Sequence, residues 1–380
     1  MAISQFKEIR PAYGFEDVAI VPGDVTINPD QTNIDLEVAN LRFPVPILAS
    51  AMDAVVSPQF AVRMSQVGGL GVLNLEGVYG RYDDPQEAID RIVQAPPEMA
   101  TALLQKTYSA PIRDELIGKC IQEIKKAGAT CAVSVTPQNA KRLSPVAVEA
   151  GADILVVQST VTTARHISKS YRGLIFAELT DQIKVPIIVG NCVTYSASLE
   201  LMESGIDGLL IGVGPGAACT TREVTGVGVP QITATLECAA AREEYLRRTG
   251  KYVSIITDGG IRTGGDFCKA FVAGADGVML GTPFAQTQEA PGKGFNWGMA
   301  TPHPALPRGT RINAGTKGTL EQLLFGPTSR TDGTQNLISA LRVCMGMCGA
   351  FTIRDFHRAE MIVAPSIRTE GKAFQMAGRL

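Results

Sequence analysis

Eight short apolar runs recur along this chain, and most of them end in glycine or a small polar residue. They are Val45–Ser50 (VPILAS), Leu70–Leu75 (LGVLNL), Thr130–Val135 (TCAVSV), Ile154–Ser159 (ILVVQS), Pro186–Asn191 (PIIVGN), Leu209–Val213 (LLIGV), Val253–Asp258 (VSIITD) and Val278–Gly281 (VMLG). Runs that are apolar on both faces and separated by helix-length segments read as strands of a parallel sheet. Eight of them is the count for a closed (β/α)8 TIM barrel, which takes roughly 250 residues before insertions. The chain has 380 residues, so one catalytic domain over 1–380 is expected. An open doubly wound sheet is the alternative, and it would need a reversal of strand order.

A weak internal repeat points the same way. KAGATCAVSV, EAGADILVV, ESGIDGLLIG and VAGADGVMLG each join a helix end to a strand. Gly128, Gly151, Gly205 and Gly274 fall where a helix C-terminus wants a left-handed residue. Ordinary α/β loop chemistry could produce the same pattern. The strand ends decide: Ser50–Asp53, Gln158–Thr160, Gly190–Asn191, Gly212–Gly214, Asp258–Gly260 and Gly281–Thr282 are polar or glycine-rich. In a barrel these ends meet on one face, where active sites are built.

Two segments stand outside the repeat. Tyr79–Lys119 reads as a polar, partly helical connection. Residues 285–327 are rich in Gly and Pro and read as a flap over the barrel mouth.

Composition narrows the function. Lys and Arg number 35 against 37 Asp and Glu, a balance that argues against a generic nucleic-acid or anionic-membrane binder. No apolar run approaches the roughly 18–20 residues of a membrane span. The first residues have no secretory pattern. The 8 cysteines are scattered, as free thiols in a reducing cytoplasm would be. A cytoplasmic location is therefore expected.

The loop GVGPGAACTTR, Gly212 to Arg222, carries the most chemistry. Its glycines allow a tight turn with exposed backbone, and Cys219 follows at the start of a helix or turn. A cysteine there is a candidate nucleophile. A buried cysteine in a glycine turn is the plainer reading. DGGIRTGGD, from Asp258, and the Gly281–Thr282 step sit after the seventh and eighth runs. Loops in those positions commonly bind phosphate. Asp258 would repel a phosphate, yet it could grip ribose hydroxyls.

With these segments in view, the sequence resembles the IMP dehydrogenase/GMP reductase family over nearly its whole length. The matching stretches are ASAMDAV, VGGLGV, VGNCVT, GVGPGAACTTR, TGVGVPQITA, DGGIRTGGD, GADGVMLGTP, EAPG, WGMAT and LRVCMGMCGA. The resemblance implies a barrel that binds a purine nucleotide covalently through its C2, with a nicotinamide cofactor. It implies Cys219 as nucleophile, with the Thr221 hydroxyl beside the reacting carbon. It puts Asp258 on the ribose and Gly260, Gly281 and Thr282 around the phosphate. Ser50, Met52 and Met299 would line the nucleotide site, Met299 against the base. Gln158, Ser159, Thr160 and Asn191 fall on the cofactor side. Backbone carbonyls of Gly214, Gly216 and Cys219 would hold potassium. A homotetramer, or an octamer, is implied as well.

TGVGVPQ, DGGIRTGGD, QEAPG and CMGMCGA are nearer the dehydrogenase pattern than that of the reductases, while the paired regulatory CBS modules have no room. The expected activity is oxidation of IMP to XMP with NAD. GMP reduction with NADPH, or a nucleotide sensor that has lost turnover, are the alternatives.

Several positions depart from the family. The flap lacks the Arg-Tyr pair that activates water; Arg308 and Arg311 are nearby but do not form it. The flap's later acidic residue has no counterpart, since Thr316 or Gly318 falls there and Glu321 is the nearest acid. Ala217 replaces a serine. Gln158 and Leu210 stand where the family has an acid and a base, as expected if a buried pair was lost together. His166 and His357 read as structural. His303 is a minor ligand candidate. Trp297 either stacks in the base pocket or anchors the flap. Cys344 and Cys348 lack the distant partners of a zinc site.

Overall fold

The computed structural model describes residues 9–167, 173–298 and 310–364. Its centre is a closed barrel of parallel strands: β1 (Ile47–Ala49), β2 (Leu70–Asn74), β3 (Ala132–Val135), β4 (Ile154–Gln158), β5 (Ile187–Cys192), β6 (Gly208–Ile211), β7 (Ser254–Asp258) and β8 (Gly277–Leu280). Each pairs with its neighbours in sequence, and β8 closes on β1 through Val278 opposite Ile47. The open-sheet alternative is thereby excluded.

One main helix follows each strand: α1 (Pro58–Gln66), α2 (Asp114–Lys126), α3 (Ala140–Glu149), α4 (Phe176–Gln182), α5 (Tyr195–Glu203), α6 (Gln231–Thr249), α7 (Gly264–Val272) and α8 (Leu337–Met347). The chain chooses these starts locally. Ser57, Thr194 and Thr263 each accept a hydrogen bond from a first-turn amide of α1, α5 and α7. Gly128, Gly151, Gly205 and Gly274 all have positive φ, which releases the chain from a helix into the next strand.

Alternation along the strands sorts the core into two layers. Leu48, Val72, Ile154, Val156, Leu210 and Ile256 fill the barrel interior, while residues one step away pack under the helices. A short antiparallel pair, Leu36–Val38 with Leu41–Phe43, plugs one end of the barrel with Leu36, Val38 and Phe43. The opposite end is left for the loops after the strands.

The two irregular segments are more ordered than their sequence implied. Tyr79–Lys119 is partly helical, as expected, and less polar than expected. It holds helices Pro85–Gln94 and Pro97–Tyr108 as well as the start of α2, and buries Ile89, Ile92 and Leu104. Within 285–327, Phe295–Trp297 pairs antiparallel with Arg311–Asn313, and Leu320–Leu324 is helical. The ends of the flap are thus part of the body. No helix among the described residues is long and apolar enough to cross a membrane.

Candidate active site

The loops after the barrel strands enclose a cavity of ≈ 1010 Å³. Its most tightly built wall is the glycine loop after β6. Gly212 and Gly214 have φ of 144° and 74°. A Cβ on Gly212 would lie 2.5 Å from the Asp258 carbonyl oxygen, and one on Gly214 would lie 2.6 Å from Arg222 Cγ. Only glycine lets the backbone pass so close. Arg222 braces the loop, donating from Nε to the Val213 carbonyl (3.1 Å) and from Nη2 to the Val229 carbonyl (2.7 Å).

Cys219 follows on this wall, half-buried, two residues before the one-turn helix Thr221–Thr225. Its amide donates to the Gly216 carbonyl at 3.0 Å, and its thiol donates to Thr221 Oγ1 at 3.2 Å. Thr221 itself is buried behind the cysteine and does not reach the cavity surface. The sulfur is the nucleophilic atom that the wall presents.

Beside this loop lies Asp258, at the end of the neighbouring strand β7. Burial pushes its carboxyl up to about 6, and the hydrogen bond from Asn191 Nδ2, at 2.8 Å, opposes that rise. Gly259 and Gly260, both at positive φ, turn the chain beneath it. Gln231, the first residue of α6, ties the two loops together. Its Nε2 donates to the carbonyls of Ile211 (3.2 Å), Asp258 (2.9 Å) and Gly259 (3.3 Å). Its buried Oε1 has no partner among the described residues.

Ser50, Met52, Gly281 and Thr282 complete this half. A Cβ on Gly281 would come within 2.9 Å of Met52 Sδ, so the strand end and the β1 loop touch. Asn296 Nδ2 donates to Thr282 Oγ1 at 3.3 Å, while Asn296 Oδ1 is buried with no partner among the described residues. Sequence reasoning missed Gln231, Arg222 and Asn296. The first two lie in quoted motifs, but their roles depend on contacts across the fold.

The other half is lined by Gln158, Ser159, Thr160 and Thr162, with Asn191 at the join. Ser159 Oγ and Thr162 Oγ1 share a hydrogen bond of 3.0 Å, and Thr162 Oγ1 donates to the Gly190 carbonyl at 2.5 Å. Gln158, Gly190 and Leu210 lie in register across β4, β5 and β6. Gln158 and Leu210 are therefore separated by one glycine on neighbouring strands.

One expectation needs correction, and the two alternatives for Trp297 are decided. His166 is not remote, since it lines the cavity beyond β4. Arg311 is no free base. It donates to the carbonyls of Ile92 and Val93 and stacks 4.9 Å over the Phe295 ring. Trp297 does not line the cavity. It is buried, and its Nε1 donates to Tyr108 Oη at 2.8 Å, which donates to Asp53 Oδ2 at 2.6 Å. It anchors the root of the flap. Glu321 also lies off the cavity, whereas Lys317 is on it. His357 bonds through Nε2 to the Ala275 carbonyl at 2.9 Å, far from this chemistry. Met299, His303 and Arg308 lie outside the described residues.

The cavity's chemistry fits a ligand with a polar ring, hydroxyls and an anionic group. Lys317, Arg222 and Arg262 supply positive charge, and Asp258 supplies an acceptor. Hydroxyls and amides of the second half fit the carboxamide and ribose of a nicotinamide. The carbonyls of Gly214, Gly216 and Cys219 lie on one loop; that of Gly216 accepts the Cys219 amide and keeps a second lone pair that a potassium ion could use.

A profile of the IMP dehydrogenase / GMP reductase domain matches residues 12–300. An uncharacterized oxidoreductase of Mycolicibacterium smegmatis is 39% identical over 370 residues, 95% of this chain and 99% of that one. The inosine-5'-monophosphate dehydrogenase of Cryptosporidium parvum is 28% identical, covering 96% of this chain and 94% of its own. The crystal structure of an IMP dehydrogenase/GMP reductase-like protein from Corynebacterium glutamicum superposes with a TM-score of 0.90 at 34% identity. It covers 96% of this chain and 97% of that one.

Proposed function

The chain belongs to the IMP dehydrogenase/GMP reductase family and is an oxidoreductase of it, and on that premise we propose that it oxidises IMP to XMP with NAD. One observation carries the reading: Cys219 and Asp258, both half-buried, face the same cavity from adjacent glycine loops.

Asp258 accepts hydrogen bonds from the ribose hydroxyls, which needs its carboxylate form. Gly260, Gly281 and Thr282, with Ser50 and Asn296 nearby, receive the phosphate end. Ser50 and Met52 flank the nucleotide. With the nucleotide so held, the Cys219 sulfur attacks C2 of the base, and its proton leaves through the Thr221 hydroxyl that it already contacts. NAD, when bound, accepts the hydride that leaves C2. Gln158, Ser159, Thr160 and Asn191, which line the other half of the cavity, would hold the nicotinamide end. The thioimidate left on Cys219 is hydrolysed by water, releasing XMP and the thiol. Orientation is the protein's main contribution to the first step, since both reactants are pinned to one rigid barrel.

A second reading is GMP reduction with NADPH, in which Cys219 displaces ammonia from C2. The fixed Arg311 favours it, because hydride delivery needs no base to activate water. The test follows nicotinamide absorbance with purified protein given IMP and NAD, or GMP and NADPH. NADH formation with IMP supports the dehydrogenase. NADPH consumption with GMP alone supports the reductase, and turnover with neither removes both.

A further inference from the structure

A helical arm outside the barrel grips the strand pair that carries Asn296. The arm consists of Pro85–Gln94 and Pro97–Tyr108, and the pair is Phe295–Trp297 with Arg311–Asn313. Side chains alternate between the two faces of a strand. Phe295, Trp297 and Arg311 therefore share one face of the pair. There Arg311 stacks on Phe295 and donates to the Ile92 and Val93 carbonyls, near the end of the first arm helix. Trp297 donates to Tyr108 Oη, at the end of the second. Lys293, just before the pair, bonds Asp90 at 2.8 Å. The other face presents Asn296, which lines the cavity and bonds Thr282. What the arm holds is the back of a cavity wall.

Tyr108 reaches a second wall as well. Its hydroxyl donates to Asp53 Oδ2 at 2.6 Å, and Asp53 follows Met52 on the loop after β1. Ser50 and Met52 line the cavity from that loop. Tyr108 thus joins the backs of two walls whose fronts converge on Gly281. A Cβ there would lie 2.9 Å from Met52 Sδ, 3.6 Å from Ser50 Oγ and 3.8 Å from Asn296 Nδ2. The walls also touch directly, where the Gly292 amide donates to the Ala54 carbonyl at 3.0 Å. One contact of that kind leaves the angle between the walls free. A second, through Trp297 and Tyr108, sets it.

Each part of the link is held in place. Tyr82 Oη donates to the Thr107 carbonyl at 2.8 Å, and Arg81 donates to the Ala110 carbonyl, which pins the Tyr108 end of its helix. Asp53 is buried against Gly77, where a Cβ would collide with Oδ1, and its Oδ2 also accepts the Val78 amide at 2.8 Å. Trp297 is buried, so its ring cannot turn without moving the strand. Desolvation, and then the neighbouring Asp53 carboxylate, push the Tyr108 hydroxyl well above its usual range. It stays protonated and donates to Asp53, which leaves its lone pairs for the Trp297 N–H. A phenyl ring in the same place would keep the packing and lose both bonds.

We propose that Tyr108 is a positioning residue for the anion-receiving side of the nucleotide site, setting the spacing between the Asn296–Thr282 wall and the Ser50–Met52 wall. That role rests on the reading of the cavity as a purine-nucleotide site whose phosphate meets Ser50, Gly281, Thr282 and Asn296. Tyr108 touches no ligand, since it lies off the cavity behind both walls. A phosphate meets several groups at once, so it responds steeply to the spacing of the walls that carry them. The base and ribose, held by the Cys219 loop and Asp258, do not depend on this link.

The test is Tyr108→Phe in the full-length protein, with IMP, ribose 5-phosphate and inosine as probes in calorimetry. Affinity for both phosphorylated probes should fall about 5- to 20-fold, while inosine binding stays within about two-fold. KM for IMP should rise by the same factor with kcat unchanged, the signature of lost uniform binding. Trp297→Phe removes the other end of one bond, and combining the two substitutions should add little beyond either alone. Equal losses for IMP and inosine would overturn the proposal, because they mean general loosening. So would unchanged IMP affinity in a folded Tyr108→Phe protein, or fully additive effects of the two substitutions. If Tyr108→Phe does not fold, the same comparison of probes on Trp297→Phe decides. A parent protein that binds the phosphorylated probes but does not turn over IMP refutes the proposed reaction and leaves this comparison intact. A parent that binds neither phosphorylated probe removes both.

Discussion

The two halves of the cavity use equivalent strand-end positions and are held in different ways. After β6 to β8 the backbone turns through glycines, and side chains arriving from elsewhere clamp it: Gln231 on three carbonyls, Arg222 on two, Asn296 on Thr282. After β4 and β5 the hydroxyls bond one another and their neighbouring strand, as Ser159, Thr162 and Gly190 do. The first half keeps unmet demand: among the described residues Gln231 Oε1 and Asn296 Oδ1 lack partners, and the half-buried Asp258 carboxyl is raised to about 6 by desolvation. Each unmet buried acceptor costs about 1–3 kcal/mol, which a donating ligand can recover. The second half is largely satisfied within itself. On the proposed function, that contrast predicts a tightly held nucleotide beside a more weakly held nicotinamide.

The strongest way to break the comparison is Cys219→Ala. Turnover should fall by at least about 10³-fold, as for loss of a nucleophile. IMP affinity by calorimetry should stay within a few-fold, because the ribose and phosphate contacts lie elsewhere. Appreciable remaining turnover would rule out the covalent route.

Asp258→Asn comes next. It should weaken IMP about 10- to 100-fold near neutral pH, the scale of hydrogen bonds to a charged group. In the parent protein, affinity should fall as pH drops through about 6, where the Asp258 carboxyl takes up its proton. A nucleotide phosphate titrates nearby, so the Asn variant supplies the reference profile. The stability effect has the opposite sense. A carboxyl raised in the fold from its usual 3.8 to about 6 favours the folded state most below the usual value. That contribution is lost as pH rises through about 6. Asp53, buried and likewise raised to about 6, adds a loss of the same sign. Thermal midpoints of Asp258→Asn and Asp53→Asn across pH 4 to 8 check this, and both should show a flatter profile than the parent.

Gln231→Leu removes the clamp on three carbonyls and should weaken IMP about 5- to 10-fold. The smallest effect belongs to the other half. Thr162→Val should raise KM for NAD only about 2- to 5-fold and leave IMP affinity unchanged. A larger loss from Thr162→Val than from Gln231→Leu would invert the comparison.

Much of this architecture was legible in the sequence because barrel strands are buried on both faces. Each therefore stands out as an apolar run with its polar end on the site side. Cys219, Asp258, Gly260, Gly281 and Thr282 could be read the same way, since glycine spacing marks where backbone must pass close to something. Gln231 and Asn296 could not. Their work is done on carbonyls and hydroxyls that are distant in sequence. The Trp297–Tyr108–Asp53 chain joins three separate segments, so no local pattern announced it. His166 was recoverable, because the loop after β4 must return over the mouth of the barrel. The plug hairpin also had a signal in the alternation of Ile34, Leu36 and Val38.

The central claim is a covalent adduct on Cys219 whose hydrolysis is slow because the usual Arg-Tyr machinery is missing. A general base typically supplies about 10²- to 10⁴-fold. Rapid acid quench of the protein mixed with IMP and NAD tests this directly, with NADH and the Cys219 peptide measured together across pH. The account predicts a burst of NADH near one per site at neutral pH, matched by a purine adduct on the Cys219 peptide. The burst should shrink as pH rises and hydrolysis catches up. No burst and no adduct at any pH, with a steady rate flat from neutral to alkaline, would contradict it.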